Sequence, residues 1–336
     1  MRIAVDAMGG DYAPREVVAG TVLAAALPNV ETLYLVGDET AIRAELAGLG
    51  AISPKIQIRH ASEVVEMGEA PALAVRRKKD SSIGRAVELV KSGEADAVMS
   101  AGNTGAAVAA STLKLRTLAG VDRPAIATVM PTQKSPVVLV DAGANLDCTP
   151  EQLVQFAMMG SVYSRAILGR ERPVVGLLSI GGEDSKGNDV TKKTFASLQK
   201  SPLNFRGNVE GRDILEGDTD VVVCDGFVGN IVLKTTESTA TAVTSWLKRE
   251  LTASWVRKSA CLLLRGAFKN LKRQLDPESY GGAPLLGVNG VCIIAHGRSS
   301  RHAVYHAIRV AAESVQCHVN EDIVKGIASL ESTRHD

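Results

Sequence analysis

Residues 100–105, Ser-Ala-Gly-Asn-Thr-Gly, follow a buried apolar run (95–99) and lead straight into an amphipathic segment, the pattern of a strand turning into a helix. The first N–H groups of a helix lack internal acceptors and carry partial positive charge, so such a turn can seat a phosphate. Gly102 and Gly105 let the backbone approach an anion closely, and Ser100, Asn103 and Thr104 add side-chain donors. Glycine and serine also build ordinary turns, and one such segment alone decides little. The same chemistry recurs, however, in Asp6 to Asp11 with Gly9 and Gly10, in Asp141 to Asn145, in Ser179 to Gly187, in Asp225 to Asn230 with Gly229, and in His296 to Ser299. Ligands of open α/β sheets bind at the carboxyl ends of strands, so these loops are expected to gather into one polar, glycine-lined crevice.

Within these loops Lys186 is the candidate cation, because a long ammonium among glycines can reach a phosphate or a developing oxyanion. Asn230 either donates its amide to the same centre or simply caps a helix. The run Arg76, Arg77, Lys78 and Lys79, ahead of Asp80-Ser81-Ser82, either binds an anionic headgroup or forms a solvated helix face. No G-x-G-x-x-G follows the first strand, and Gly187 is followed by Asn188 instead of a Walker lysine, so neither NAD nor ATP is supported. There is no G-x-S-x-G elbow. His302 and His306 lie four apart, but no Glu follows His302 and no third ligand is evident, which favours a packed or surface pair over a metal. No metal or cofactor is expected.

The elements that must position these loops are legible as an alternation. Short β-branched runs (3–5, 32–36, 56–59, 95–99, 126–130, 137–140, 174–178, 221–224 and 291–295) alternate with amphipathic segments (14–27, 82–92, 104–118, 150–168 and 299–317). Most runs are apolar on both faces, as strands between two helix layers must be. The expected fold is α/β, a three-layer α/β/α architecture around a mostly parallel Rossmann-like sheet, with residues 1–336 forming a single catalytic domain. A chain of 336 residues with a net charge of +1 gives no support to wholesale nucleic-acid binding. Its five cysteines lack C-x-x-C spacing and fit a reducing cytoplasm, a first strand entering at Arg2 leaves no room for a signal peptide, and no apolar run reaches membrane-spanning length.

The exception to the alternation is an excursion at about residues 237–278. From Lys248 to Arg273 its charges are Lys248, Arg249, Arg257, Lys258, Arg265, Lys269, Lys272 and Arg273 against Glu250 alone. Leu264, Phe268, Leu271 and Leu275 fall at helical spacing beside Trp255, Val256, Leu262 and Leu263. A projecting helical hairpin of this kind suits an interfacial membrane contact or an acidic partner, or else a dimerisation arm whose stripe is buried.

The motifs Met1 to Asp11, Ser100 to Gly105, Gly181 to Gly187, Phe205 to Gly211, Asp225 to Asn230 and Tyr280 to Gly287, taken in order, resemble the PlsX family of bacterial phosphate acyltransferases from residue 1 to about residue 310. The excursion and the tail after Asn320 match less well. The resemblance implies transfer of a long-chain acyl group from acyl carrier protein to inorganic phosphate, giving acyl phosphate for phospholipid (phosphatidic acid) synthesis by a downstream glycerol-3-phosphate acyltransferase. It also implies a cytoplasmic homodimer, peripherally associated with the inner face of the membrane. On this reading phosphate sits on Ser100 to Gly105, Lys186 and Asn230 are catalytic, and Asp6, Gly9, Gly10, Asn145, Asp225, Gly229 and His296 shape the substrate site. Trp255, Arg257, Lys258, Leu262, Leu263, Leu264 and Arg265 then meet the membrane or the carrier. The rival readings are a dehydrogenase of the isocitrate type, a short-chain phosphotransacetylase using acyl-coenzyme A, and a non-catalytic membrane-surface scaffold.

Overall fold

A computed structural model describes residues 1–50, 52–268 and 277–333. Eleven strands form one sheet: β1 (Arg2–Asp6), β2 (Thr32–Gly37), β3 (Ile56–His60), β4 (Ala97–Ser100), β5 (Ala125–Met130), β6 (Val137–Val140), β7 (Val174–Leu178), β8 (Asn204–Val209), β9 (Val221–Val223), β10 (Ala283–Leu286) and β11 (Val291–Ile294). Their spatial order is β3-β2-β1-β4-β11-β10-β5-β6-β9-β7-β8. The helices are α1 (Arg15–Ala24), α2 (Glu39–Ala47), α3 (Pro71–Arg77), α4 (Ser82–Lys91), α5 (Thr104–Leu115), α6 (Pro150–Leu168), α7 (Asp189–Gln199), α8 (Gly226–Leu251), α9 (Trp255–Leu263), α10 (Arg301–Gln316) and α11 (Val319–Thr333).

Alternation along each strand sends side chains to two helix layers. On one face Ile3, Val5, Leu33, Leu35 and Met99 pack against α1, α2 and α10, while Val138, Val140, Val221 and Val223 pack against α6, α7 and α11. On the other face Ala4, Val98, Ile126 and Ile294 meet α3, α4 and α5, and Leu139 and Val222 meet Val232 of α8. The three-layer, mostly parallel architecture is thus as expected.

Two features differ from the sequence expectation. Strands β8 and β10 were not anticipated, because Asn204-Phe-Arg-Gly-Asn-Val209 is half polar and Ala283-Pro-Leu-Leu286 is short and contains proline. Strand direction also changes within the sheet: β10 is antiparallel to both β11 and β5, and β5 is antiparallel to β6. Consequently β6, β7, β8 and β9 run opposite to β1, β2, β3, β4 and β11.

The helical excursion is carried on a helix that begins before it. Helix α8 is continuous from Gly226, packs on the body through Val232 and Leu233, and from Ser238 onward is almost wholly exposed. Arg257 of α9 folds back to Glu250 of α8 at 3.1 Å. Trp255, Val256, Arg257, Lys258, Leu264 and Arg265 are all exposed. The side chains of Leu262 and Leu263, and all of Lys269, Leu271, Lys272, Arg273 and Leu275, lie outside the described residues.

Candidate functional site

The reversal of strand direction divides the glycine loops into two groups. The first ends the adjacent parallel strands β1, β4 and β11, and the second ends the adjacent parallel strands β6, β9 and β7. The loops expected to gather into a single crevice at one edge therefore fall into two clusters, each with its own internal bonding.

In the first group Asp6 is the hub. Its carboxylate, 2% exposed, accepts from Ser100 Oγ at 2.7 Å, and Ser100 Oγ in turn accepts from Gly102 N at 3.1 Å. Gly9 closes over it: a Cβ there would come within 2.6 Å of Asp6 Oδ2 and 2.7 Å of Gly102 N, which only glycine tolerates. Gly10 takes a left-handed φ of 109°, and Asp11 N donates to Gly297 O at 2.7 Å, tying this loop to the His296 turn. Burial pushes the Asp6 carboxyl up from the ordinary range, with the Ser82 and Ser100 hydroxyls drawing it partly back. Asp6 Oδ1 nevertheless makes no hydrogen bond of ordinary geometry. It faces a cavity of about 10 Å³ lined also by Val65, Ser82, Gly102 and Asn103, which has room for one water and not for a phosphate.

Asn103 has a different task from the anion donor expected of it. Its Oδ1 caps α5 by accepting from Ala106 N at 3.0 Å, and its Nδ2 donates to the carbonyls of Glu66, Met67 and Glu69 at 3.0–3.3 Å. Gly105 is also explained by packing, since a Cβ there would lie 2.5 Å from Pro71 Cγ. Ser100 and Gly102 are buried beneath the turn. The donors left open are the N–H groups of Thr104 and Gly105, for which no capping or backbone acceptor is found among the described residues, together with the exposed Thr104 hydroxyl. His296 is exposed, and its Nδ1 accepts from Arg298 N.

In the second group Asp141 plays the matching part. Its Oδ1 accepts from the N–H groups of Ile126, Gly143 and Ala144, and its Oδ2 from Asn145 N and Nδ2. Burial raises this carboxyl while those five donors favour its ionised form. Asn145 is thereby committed to the loop, its Nδ2 also donating to Pro124 O. Asp225 is the N-cap of α8 through Val228 N, so Asn230 lies one turn inside the helix and is not a cap. Gly226 N donates to Asn145 O at 2.7 Å, and Gly229 packs so closely on Asp141 O that a Cβ would sit 1.9 Å from it. Asn230 is exposed above Gly143, whose Cβ position lies 3.7 Å from Asn230 Oδ1. Lys186 is exposed on the β7 loop, its stem lying along Gly181; among the described residues its ammonium has no ion pair or hydrogen bond. Lys186 and Asn230 thus share the carboxyl edge of neighbouring parallel strands. Burial pushes the nearby Cys148 thiol up to about 11 and raises that of Cys224 well above its ordinary range, so neither is a thiolate nucleophile at neutral pH.

One apolar cluster on a single face of the sheet includes residues from both sides of the strand reversal. Ala106, Ala107 and Ala110 of α5 belong to the same apolar cluster as Ala142, Ala144 and Leu233. The sequence reading missed the segment 61–70, which Asn103 clamps over the start of α5, and it missed Ser82 beside Asp6. Pro71 at a helix start was the available signal for the first; nothing local pointed to the second.

The model of the family described as "Fatty acid synthesis protein" matches residues 1–322. A protein of Pelotomaculum thermopropionicum named phosphate acyltransferase is 53% identical over 331 residues, covering 98% of this chain and 96% of its own. A second protein of that name, from Geobacter sulfurreducens, is 51% identical over 325 residues, covering 97% and 94%. Among solved structures a phosphotransacetylase of Streptococcus pyogenes superimposes with a TM-score of 0.62 at 18% identity over 94% of each chain, a likeness of fold. With a family model spanning nearly the whole length and relatives about half identical along it, the chain belongs to the fatty acid synthesis protein family that includes these phosphate acyltransferases.

Proposed function

We propose that the protein transfers a long-chain acyl group from the thioester of an acyl carrier protein to inorganic phosphate, giving acyl phosphate and the free carrier thiol. The observation that carries the acyl-to-phosphate reading is the near full-length identity to relatives named phosphate acyltransferase. Phosphate is its own nucleophile at neutral pH, so the protein has only to position it and stabilise charge. The anion rests on the Thr104 and Gly105 N–H groups and the Thr104 hydroxyl, at the positive end of α5. Lys186 neutralises it and turns one oxygen toward the thioester carbonyl. Attack forms the C–O bond, Asn230 donates to the tetrahedral oxyanion, and collapse breaks the C–S bond, the thiolate leaving to take a proton from solvent.

This scheme needs the two loop groups to face one another, and sheet twist supports it. Five strand pairs separate β4 from β9. At an average of about 20–25° per pair the twist accumulates to roughly 100–125°, so chain directions opposed in the ladder differ by only about 55–80° in space. Both carboxyl edges then open toward the α5 and α8 face. The same reading has the protein working as a homodimer on the cytoplasmic membrane face. There α9 contributes lipid contact through Trp255, Val256 and Leu264 with Lys258 and Arg265, and the product passes to a glycerol-3-phosphate acyltransferase.

Incubation of palmitoyl-carrier protein with labelled phosphate, followed by hydroxylamine trapping, should yield acyl phosphate. Lys186→Ala and Asn230→Ala should each lower kcat by about 10²- to 10³-fold with the fold intact. Near-normal turnover in either variant removes that residue from the catalytic set, and turnover of acetyl-coenzyme A in place of the carrier thioester replaces the long-chain reading with the short-chain one.

A further inference from the structure

We infer that the outer face of α3 and α5 is the docking surface for the acidic carrier that delivers the acyl thioester, an inference that rests on the carrier-dependent reading above.

The two helices lie side by side and run in the same direction. At their starts Pro71 of α3 fills the space left by Gly105 of α5. At their ends Lys79 O and Lys114 Nζ both lie within 4 Å of the Cβ position of Gly84, the latter donating to Gly84 O at 2.8 Å. Their inner faces, Ala74 and Val75 with Ala106, Ala107 and Ala110, are buried in one cluster. Their outer faces are left to solvent.

That outer face is cationic without compensation. Neither helix contains an acidic residue. Arg76, Arg77 and Lys79 are exposed at the end of α3 and Arg116 at the end of α5, and among the described residues none of the four forms an ion pair. Acids near them in sequence or against the same helices are already engaged, Asp80 with Arg85, Glu69 with Lys78 and Glu88 with Lys114. Leu73 and Leu113, 48% and 51% exposed, provide apolar anchors on the same two helices. In a chain whose net charge is only +1, four unpaired cations around two exposed leucines are a segregated patch that complements an acidic, partly apolar helix. Position supports the same occupant. Helix α3 starts against the first turn of α5, where the open Thr104 and Gly105 N–H groups lie; Arg76 and Arg77 follow five and six residues on, about 8–9 Å along the axis, and Arg116 closes the far end about 18 Å away, so a carrier docked along these helices directs its prosthetic arm toward the phosphate seat. The cations of α9 stand on the projecting hairpin, away from that seat.

The test is steady-state kinetics with two thioesters, palmitoyl-carrier protein and the palmitoyl thioester of free pantetheine. In the paired variant Arg76→Glu with Arg77→Glu, the KM for palmitoyl-carrier protein should rise about tenfold or more at low salt, with kcat, the KM for phosphate and the pantetheine reaction unchanged. In the unaltered protein the carrier KM should climb with ionic strength, and the variant should lose most of that dependence. Thermal unfolding checks the fold; should this pair unfold, Lys79→Glu with Arg116→Glu reads the same surface. A carrier KM equal to that of the unaltered protein overturns the assignment. So does a rise seen instead with Arg257→Glu and Lys258→Glu, which moves docking to the hairpin. An unaltered protein that uses the pantetheine thioester but not the carrier thioester removes the carrier reading itself, an outcome distinct from failure of the surface.

Discussion

Asn103 engages both ends of its amide, and that double use explains why its type is legible in the sequence while its task is not. As a cap its Oδ1 satisfies Ala106 N, and as a clamp its Nδ2 serves three carbonyls of the 66–69 segment. Aspartate reproduces the first function and not the second. Asn103→Ala should therefore lose both, destabilising the protein by about 1–2 kcal/mol through the cap alone and freeing the segment besides. Asn103→Asp should keep most of the stability yet release residues 66–69, because a carboxylate repels the carbonyl oxygens it faces. Limited proteolysis and amide hydrogen exchange at Glu66 to Glu69 check this. Equal protection of that segment in Asn103→Asp and the unaltered protein would show that other contacts hold it down. Asp6 and Asp141 make the parallel point. Their place at strand ends, where a carboxylate would repel phosphate, implies loop-shaping hydrogen bonds, and their carboxylates are indeed spent on the loops beside Thr104, Lys186 and Asn230.

At the scale of elements, the strands and crossover helices were readable wherever local pattern decides, as in the β-branched runs of β1, β6 and β9 and the capped helix Pro150–Leu168. What escaped depends on pairing between distant segments: the antiparallel insertion of β10, and the contact that joins α1 to α10. Glu16 of α1 accepts from Arg301 N and Nε at 3.0 Å and from Nη2 at 2.7 Å, a bidentate pair bridging residues 285 apart. Hydrogen bonding to Arg301 holds the Glu16 carboxyl at about 2, below its ordinary 4.5. A carboxyl held low in the folded state contributes stability that is present above pH 4.5 and disappears as pH falls through about 2. At neutral pH that contribution is about 3 kcal/mol, so Glu16→Gln should lower the free energy of unfolding by about that amount. The difference should narrow below pH 4.5 in urea titrations. A deficit independent of pH would assign the loss to packing at the α1–α10 contact and not to charge.

For the whole molecule, the sheet is two half-sheets of opposed strand direction sewn together by β10 and β5, and each half contributes three bonded loops. Sequence supplied all six loops and could not supply their partition, because chain direction within a sheet is fixed by long-range pairing and leaves no local mark. Among the described residues the hairpin of α8 and α9 projects from this frame beyond Glu237. There nothing among the described residues buries Val243, Trp246 and Leu247, and Trp255 at the start of α9 is 79% exposed. No described helix is long and apolar enough to cross a membrane, so a lipid contact here is interfacial. Arg257 is paired with Glu250, and among the described residues of α9 and the segment after it Lys258 and Arg265 form no ion pair beside Trp255, Val256 and Leu264. At roughly 1 kcal/mol for each cation near an anionic surface, charge alone gives weak binding, and the apolar residues must supply the remainder. Flotation on phosphatidylglycerol vesicles should thus fall sharply in Trp255→Glu with Val256→Glu even at low salt, whereas raising the salt with the unaltered protein should weaken flotation only in part. Because both side chains already face water, these substitutions should leave thermal unfolding unchanged. Undiminished flotation of the paired variant would take the hairpin away from lipid and assign its apolar stripe to contact with a second copy of the chain.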